Sequence, residues 1–141
     1  MTGSRIEDIV EISQTCARYA VTMTQGDMSD LLSIFTEDGT YSAFGDAFAL
    51  SEFPALVNAA PKGLYFTGMP VVTFTGEDTA TGVTTLIFID HKTHDFRMGY
   101  YNDTYLRTAD GWRLRTRSMT FIRRNGEHNS GRPHAYQPAE G

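Results

Sequence analysis

The chain has 141 residues, enough for one domain with a single sizeable core. Its net charge of −5 is uneven: residues 1–90 hold 3 Lys+Arg against 12 Asp+Glu, and residues 91–141 hold 9 against 5. That balance disfavours nucleic acid as a partner. No apolar run reaches membrane-spanning length, and the acidic start Glu7-Asp8 is unlike a secretory leader, so a cytoplasmic protein without membrane contact is expected.

Residues 5–24 are predicted to form a helix, because Ile9, Ile12, Cys16, Tyr19 and Met23 recur at steps of three and four. Cys16 is the one cysteine of the chain and falls on that apolar stripe, as a buried thiol would. Gly26 is a stop, and Asp27 can cap a short helix over 28–35. Asp38-Gly39 suggests a turn, followed by a strand over 40–44. Ser51 is a candidate cap for a third short helix reaching about Ala60, with Pro54 tolerated in its first turn.

The pattern then changes to strands at about 65–75, 79–90, 97–108 and 112–122, joined by short polar connections. Four strands so joined form an antiparallel meander. Helices followed by such strands make an α+β fold, expected as one domain over 1–124 with a flexible tail over 125–141.

Within 97–108, Tyr101, Asp103 and Tyr105 alternate and therefore share one strand face. A carboxyl on an aromatic face is costly unless it is bonded or held neutral, which makes Asp103 the leading site candidate. The plainer alternative is that it bonds a neighbouring tyrosine or a helix-end amide. Arg113, Arg115 and Arg117 also alternate and read as a solvated outer face, with an anion-contacting surface as the lesser alternative. His91 and His94, with Asp90 and Asp95, sit in a connection without a regular scaffold. They read as a turn, so no metal is expected, and with no P-loop, Gly-rich dinucleotide fingerprint or zinc motif in the sequence no cofactor is expected either.

Three segments resemble the start of the nuclear transport factor 2-like superfamily, and within it the SnoaL-like proteins. They are Ala17-Arg-Tyr-Ala20, Gly26-Asp-Met-Ser-Asp-Leu31 and Ile34-Phe-Thr-Glu-Asp-Gly39. The run Tyr101-Asn-Asp-Thr-Tyr-Leu-Arg-Thr-Ala-Asp-Gly-Trp-Arg113 is similar to that group as well. The resemblance implies a cone-shaped α+β barrel, with N-terminal helices packed in a curved, mostly antiparallel sheet, and a homodimer formed through the sheet. It also implies a hydrophobic pocket for a steroid-, polyketide- or terpenoid-like substrate. The chemistry would be cofactor-independent proton transfer of the isomerase, cyclase or dehydratase type. The alternative is a non-catalytic module of the same fold that binds a small molecule or a partner.

By this resemblance the oxyanion-hole residues of ketosteroid isomerases fall on Tyr19 and Asp103. The isomerase base falls near Ala43, which leaves Asp46 as the nearest candidate. The Asp/His dyad of the dehydratases falls on Thr24 and Tyr65, neither of which is a general base at neutral pH. Thr24, Tyr65, Tyr101, Tyr105 and Phe44 are the expected substrate-lining residues.

Overall fold

In the computed structural model, which describes residues 5–43 and 46–129, the chain is an unclosed, curved sheet with helices packed against its concave face. Helix α1 (Ile6–Gln25) is longer than the other two and supplies Ile12, Cys16 and Tyr19 to the core. It stops at Gly26, whose φ of +76° suits glycine and whose N–H closes the last turn on the Thr22 carbonyl. Helix α2 (Met28–Ile34) begins where the Asp27 carboxylate accepts from the Ser29 amide, as its position before the apolar run predicts.

Strand β1 (Phe35–Ala43) starts earlier than the sequence suggests, because Asp38-Gly39 is an irregularity within the strand rather than a turn before it. A side chain at Gly39 would crowd the Thr36 carbonyl and the Phe35 ring. Strand β2 (Asp46–Ala49) returns antiparallel to β1 and pairs Asp46 with Ala43. A 3₁₀ turn (Leu50–Glu52) leads into α3 (Phe53–Ala59). Ser51 lies inside that turn and is not the cap; the Glu52 carboxylate reaches back to the Ala49 amide instead.

The expected strand 65–75 is two strands, β3 (Gly63–Thr67) and β4 (Val71–Phe74), divided by Gly68-Met-Pro70. Both pair antiparallel with β5 (Thr79–Asp90). Strands β6 (Phe96–Thr108) and β7 (Gly111–Ile122) complete the meander, and β8 (His128–Asn129) adds to β7. The spatial order is β2-β1-β7-β6-β5-β3, with β1 beside β7 as a parallel pair. Residues 130–141, most of the expected tail, lie outside the described residues. No described helix is long and apolar enough to cross a membrane.

Strand β5 alternates as a half-buried strand should: Ala80, Thr84, Leu86 and Phe88 face the core, and Thr81, Val83, Thr85 and Ile87 face out. Strand β7 breaks this rule once. Asp103 pairs with Arg117 and Thr104 with Thr116, yet Tyr105 pairs with Leu114. Arg115 is thus an extra residue, and the bulge reverses the facing of everything beyond it. Trp112 and Leu114 point inward before the bulge; Arg117, Met119 and Phe121 point inward after it.

The reading of Arg113, Arg115 and Arg117 as one outer face therefore fails at Arg117. Arg115 remains outside and pairs with Asp38 at 3.0 Å. Arg117 is in the core, at 1% exposure.

Candidate functional site

Four strands and one helix bring the polar groups of the interior together. Strand β6 contributes Tyr101, Asp103 and Tyr105 on its inward face, all buried. The bulge in β7 places Arg117 directly opposite Asp103. The two make a bidentate ion pair, Nε to Oδ1 at 2.8 Å and Nη2 to Oδ2 at 2.9 Å, with neither side chain exposed.

The Tyr105 hydroxyl donates to the same Oδ2 at 3.0 Å, and its other neighbour is the Cys16 thiol at 3.5 Å. Gly82, the β5 partner of Asp103, leaves room for that hydroxyl: a Cβ there would come within 2.8 Å of it. Both Asp103 oxygens are therefore occupied. Asp103 is thus bonded to its neighbours, Tyr105 among them, and its main partner, Arg117, is one that the outer-face reading of the arginines had hidden.

Arg117 also stacks on two rings. Its Cζ lies 3.8 Å from the Tyr101 ring centroid and 4.5 Å from that of Tyr19, and those rings meet edge to face at 5.8 Å. Burial alone would lower the guanidinium pKa, but the charge and hydrogen bonds of Asp103 reverse that and raise it well above its ordinary value. One donor is left over. Arg117 Nη1 is buried and has no hydrogen-bond partner among the described residues. A buried guanidinium N–H without an acceptor is costly, and a ligand oxygen is what would satisfy it.

The phenols around it are protonated donors. Burial pushes Tyr19 up to about 12, against which Arg117 and hydrogen bonds with Tyr101 and Tyr41 act only in part. Burial also raises Tyr41, Tyr65 and Tyr101, and their mutual repulsion as phenolates adds to it. Tyr19 and Asp103 are thus in one cluster, joined through Arg117.

Tyr65 stands at its edge, with its ring against Phe88 at 4.9 Å and its hydroxyl donating to the Pro61 carbonyl. Thr24 is not brought in: it is exposed, its hydroxyl donates to the Ala20 carbonyl at 2.8 Å, and it accepts from the Tyr65 amide at 2.9 Å. It pins the end of α1 to β3. Asp46 is carried by β2 opposite Ala43. Phe44 lies outside the described residues.

Sequence reasoning missed Arg117 and Tyr41. The signal for Arg117 was present: the apolar residues of β7 are even-numbered at 112 and 114 and odd-numbered at 119 and 121, which requires one extra residue between them. Tyr41 had no such mark: its contact with the site comes through pairing with Arg117 of β7, which is remote in sequence.

No group of three His, Cys, Asp or Glu side chains among the described residues is placed to hold a metal ion. His91 and His94 are in the β5–β6 turn, where the Asp90 carboxylate accepts from the amides of Lys92 and Thr93.

With this geometry in place, comparison with known proteins gives a consistent fold. A sequence profile described as a SnoaL-like domain matches residues 4–118. Among curated proteins, none matches the chain.

Among solved structures, an NTF2-like protein with a cystatin-like fold from Novosphingobium aromaticivorans is 27% identical, with TM-score 0.70 over 79% of this chain and 80% of that one. A putative scytalone dehydratase from the same organism is 15% identical, with TM-score 0.78 over 98% of this chain and 100% of that one. A type 2 hexachlorocyclohexane dehydrochlorinase is 13% identical, with TM-score 0.74 over 96% of each chain. At identities this low the last two speak for the fold alone.

Proposed function

Because the chain belongs to the SnoaL-like domain family, we propose that it is a cofactor-independent enzyme that moves a proton next to a carbonyl in an apolar cyclic molecule. The substrate class would be steroid-, polyketide- or terpenoid-like, and the outcome isomerisation, cyclisation or elimination. The observation that carries this reading is the buried Nη1 of Arg117, which has no hydrogen-bond partner among the described residues, inside a ring of protonated phenols. As a proton leaves the carbon beside a carbonyl, negative charge collects on the oxygen. A fixed cationic donor aimed at that oxygen in a dry site favours this change, and each such donor typically contributes on the order of 10²–10³ in turnover.

The roles follow from the contacts. Arg117 is the electrophile at the carbonyl oxygen. Asp103 is a positioning residue: it holds Arg117 in one orientation and neutralises it, and Tyr105 holds Asp103. Tyr19 and Tyr101 wall the guanidinium and supply neutral hydroxyls at physiological pH. The proton acceptor we assign to Asp46, which the β1–β2 register sets across from Ala43, the position of the base in the isomerase resemblance.

Hydrogen–deuterium exchange next to the carbonyl of 2-decalone in deuterated buffer, followed by NMR, tests this without knowledge of the natural substrate. The protein should accelerate exchange over buffer, with a loss of about 10²–10⁴-fold in Asp46→Asn. Acceleration that survives Asp46→Asn would remove the assigned base.

A second reading, a binding module of the same fold, is favoured by one observation. Besides Asp103, whose oxygens are both engaged, and Asp90 at the end of β5, whose carboxylate accepts from the turn amides, the inward faces of β5, β6 and β7 carry no carboxylate and no imidazole. Ketone binding without any exchange would select it.

A further inference from the structure

A second guanidinium faces the interior and has no role in the scheme above. Arg97 lies on the inward face of β6, in phase with Tyr101 and Asp103 and directly opposite Phe88 of β5. It is half-buried, and its Cζ stacks 4.7 Å from the Phe88 ring centroid, beside the Tyr65 ring that meets the same phenylalanine. Its Nε is buried with no hydrogen-bond partner, and no carboxylate pairs with it among the described residues. Asp90, the acidic group whose charge it feels, is engaged with the amides of the β5–β6 turn.

The contrast with Arg117 is informative. The deep arginine is balanced by Asp103; the shallow one is not balanced. Among the described residues, the Arg97 guanidinium on the inner wall of the sheet has no ion-pair partner of its own. Stacking on Phe88 and the fork of the guanidinium leave a planar, two-oxygen anion as the complementary group. Six residues of extended strand, about 20 Å, separate position 97 from position 103. A ligand held at both arginines is thus elongated, with oxygen at each end and an apolar middle against Tyr101.

We propose that the ligand of this cone is an apolar ring compound bearing a carboxylate, and that Arg97 binds the carboxylate while the ring body runs toward Arg117. This rests on the reading of the cone as a small-molecule site and adds to it the charge of the molecule and the residue that selects it.

Paired probes test it: naphthalene-2-carboxylate and naphthalene-2-carboxamide, titrated by calorimetry into wild type, Arg97→Gln and Arg97→Lys at pH 7. Melting curves establish that both variants are folded. Wild type should bind the acid at least about tenfold more tightly than the amide. Arg97→Gln should bring the two within about twofold by weakening the acid alone, and Arg97→Lys should keep part of the preference. Equal binding of acid and amide by wild type, or a preference that survives Arg97→Gln, overturns the proposal while leaving the cone as a ligand site. Failure of both probes to bind overturns the ligand-site reading and this inference with it.

Discussion

At the scale of single residues, the Asp103–Arg117 pair decides the character of the interior. Two opposite charges at 2.8 Å with no exposure are held only because each satisfies the other. Removing one partner leaves an unpaired charge in the core, so Asp103→Asn should cost about 3–5 kcal/mol in a urea or guanidinium unfolding curve. Replacing both by apolar side chains, Asp103→Leu with Arg117→Met, should restore much of that loss. A double variant as unstable as the sum of the two single ones would show that the pair is not coupled. If stability recovers while carbonyl-ligand binding is lost, the pair is retained for the site rather than for the fold.

At the scale of elements, the start of α1 is fastened to the sheet by the Asp8 and Glu11 carboxylates, Glu11 accepting from the Trp112 amide at 3.0 Å and Asp8 making the larger set of contacts. Asp8 accepts from Arg107 at 2.8 Å, from Arg5 at 3.0 Å and from the Trp112 indole at 3.1 Å. Burial pushes its pKa up, and the hydrogen bonds from Trp112, Arg107 and Arg5 outweigh that, holding it below the ordinary 3.8. A carboxylate with a depressed folded-state pKa stabilises the fold above its unfolded pKa and loses that contribution as pH falls through the folded value. Stability should therefore drop on acidification below about pH 4, and Asp8→Asn should lower the pH 7 stability while flattening that acid limb. Urea midpoints at pH 7 and pH 3 measure this; an acid limb of unchanged slope in Asp8→Asn would contradict it.

Much of this scale was legible in the sequence. The helix stripe, the Asp27 cap and the β5–β7 meander depend on local periodicity, and periodicity is what a sequence displays. The bulge at Arg115 was legible only as a change of phase, and reading through it put Arg117 on the wrong side. The parallel pairing of β1 with β7 joins segments far apart in the chain, so no local pattern marks it. The candidate site divides in the same way. Tyr19, Tyr101 and Asp103 follow from periodicity and resemblance, whereas the Arg117 partner needs the register. The hydroxyl of Thr24 is consumed by backbone contacts that a sequence cannot show.

At the scale of the molecule, the convex face of the sheet is apolar and open. Phe66, Val71, Val83, Ile87 and Met98 are exposed there, between threonines and serines. The part of this face over β3 to β6, away from Arg113 and Arg115 on β7, is suited to a second copy of the chain, which we propose in keeping with the dimer expected from the resemblance. Light scattering should give twice the 15.7 kDa of one chain, and Ile87→Lys should shift the mass toward a single chain. A monomeric wild-type protein at micromolar concentration would contradict it.

On the concave side of the same sheet lies the proposed site, where the interior would receive an apolar ring with its oxygen at Arg117. A crystal structure with 2-naphthol, a planar mimic of a ring enolate, tests this directly. The naphthol oxygen should lie about 2.7–3.2 Å from Arg117 Nη1, with the rings among Tyr19, Tyr101 and the apolar wall. A naphthol bound only on the convex face, or inside with its oxygen turned away from Arg117, would contradict it.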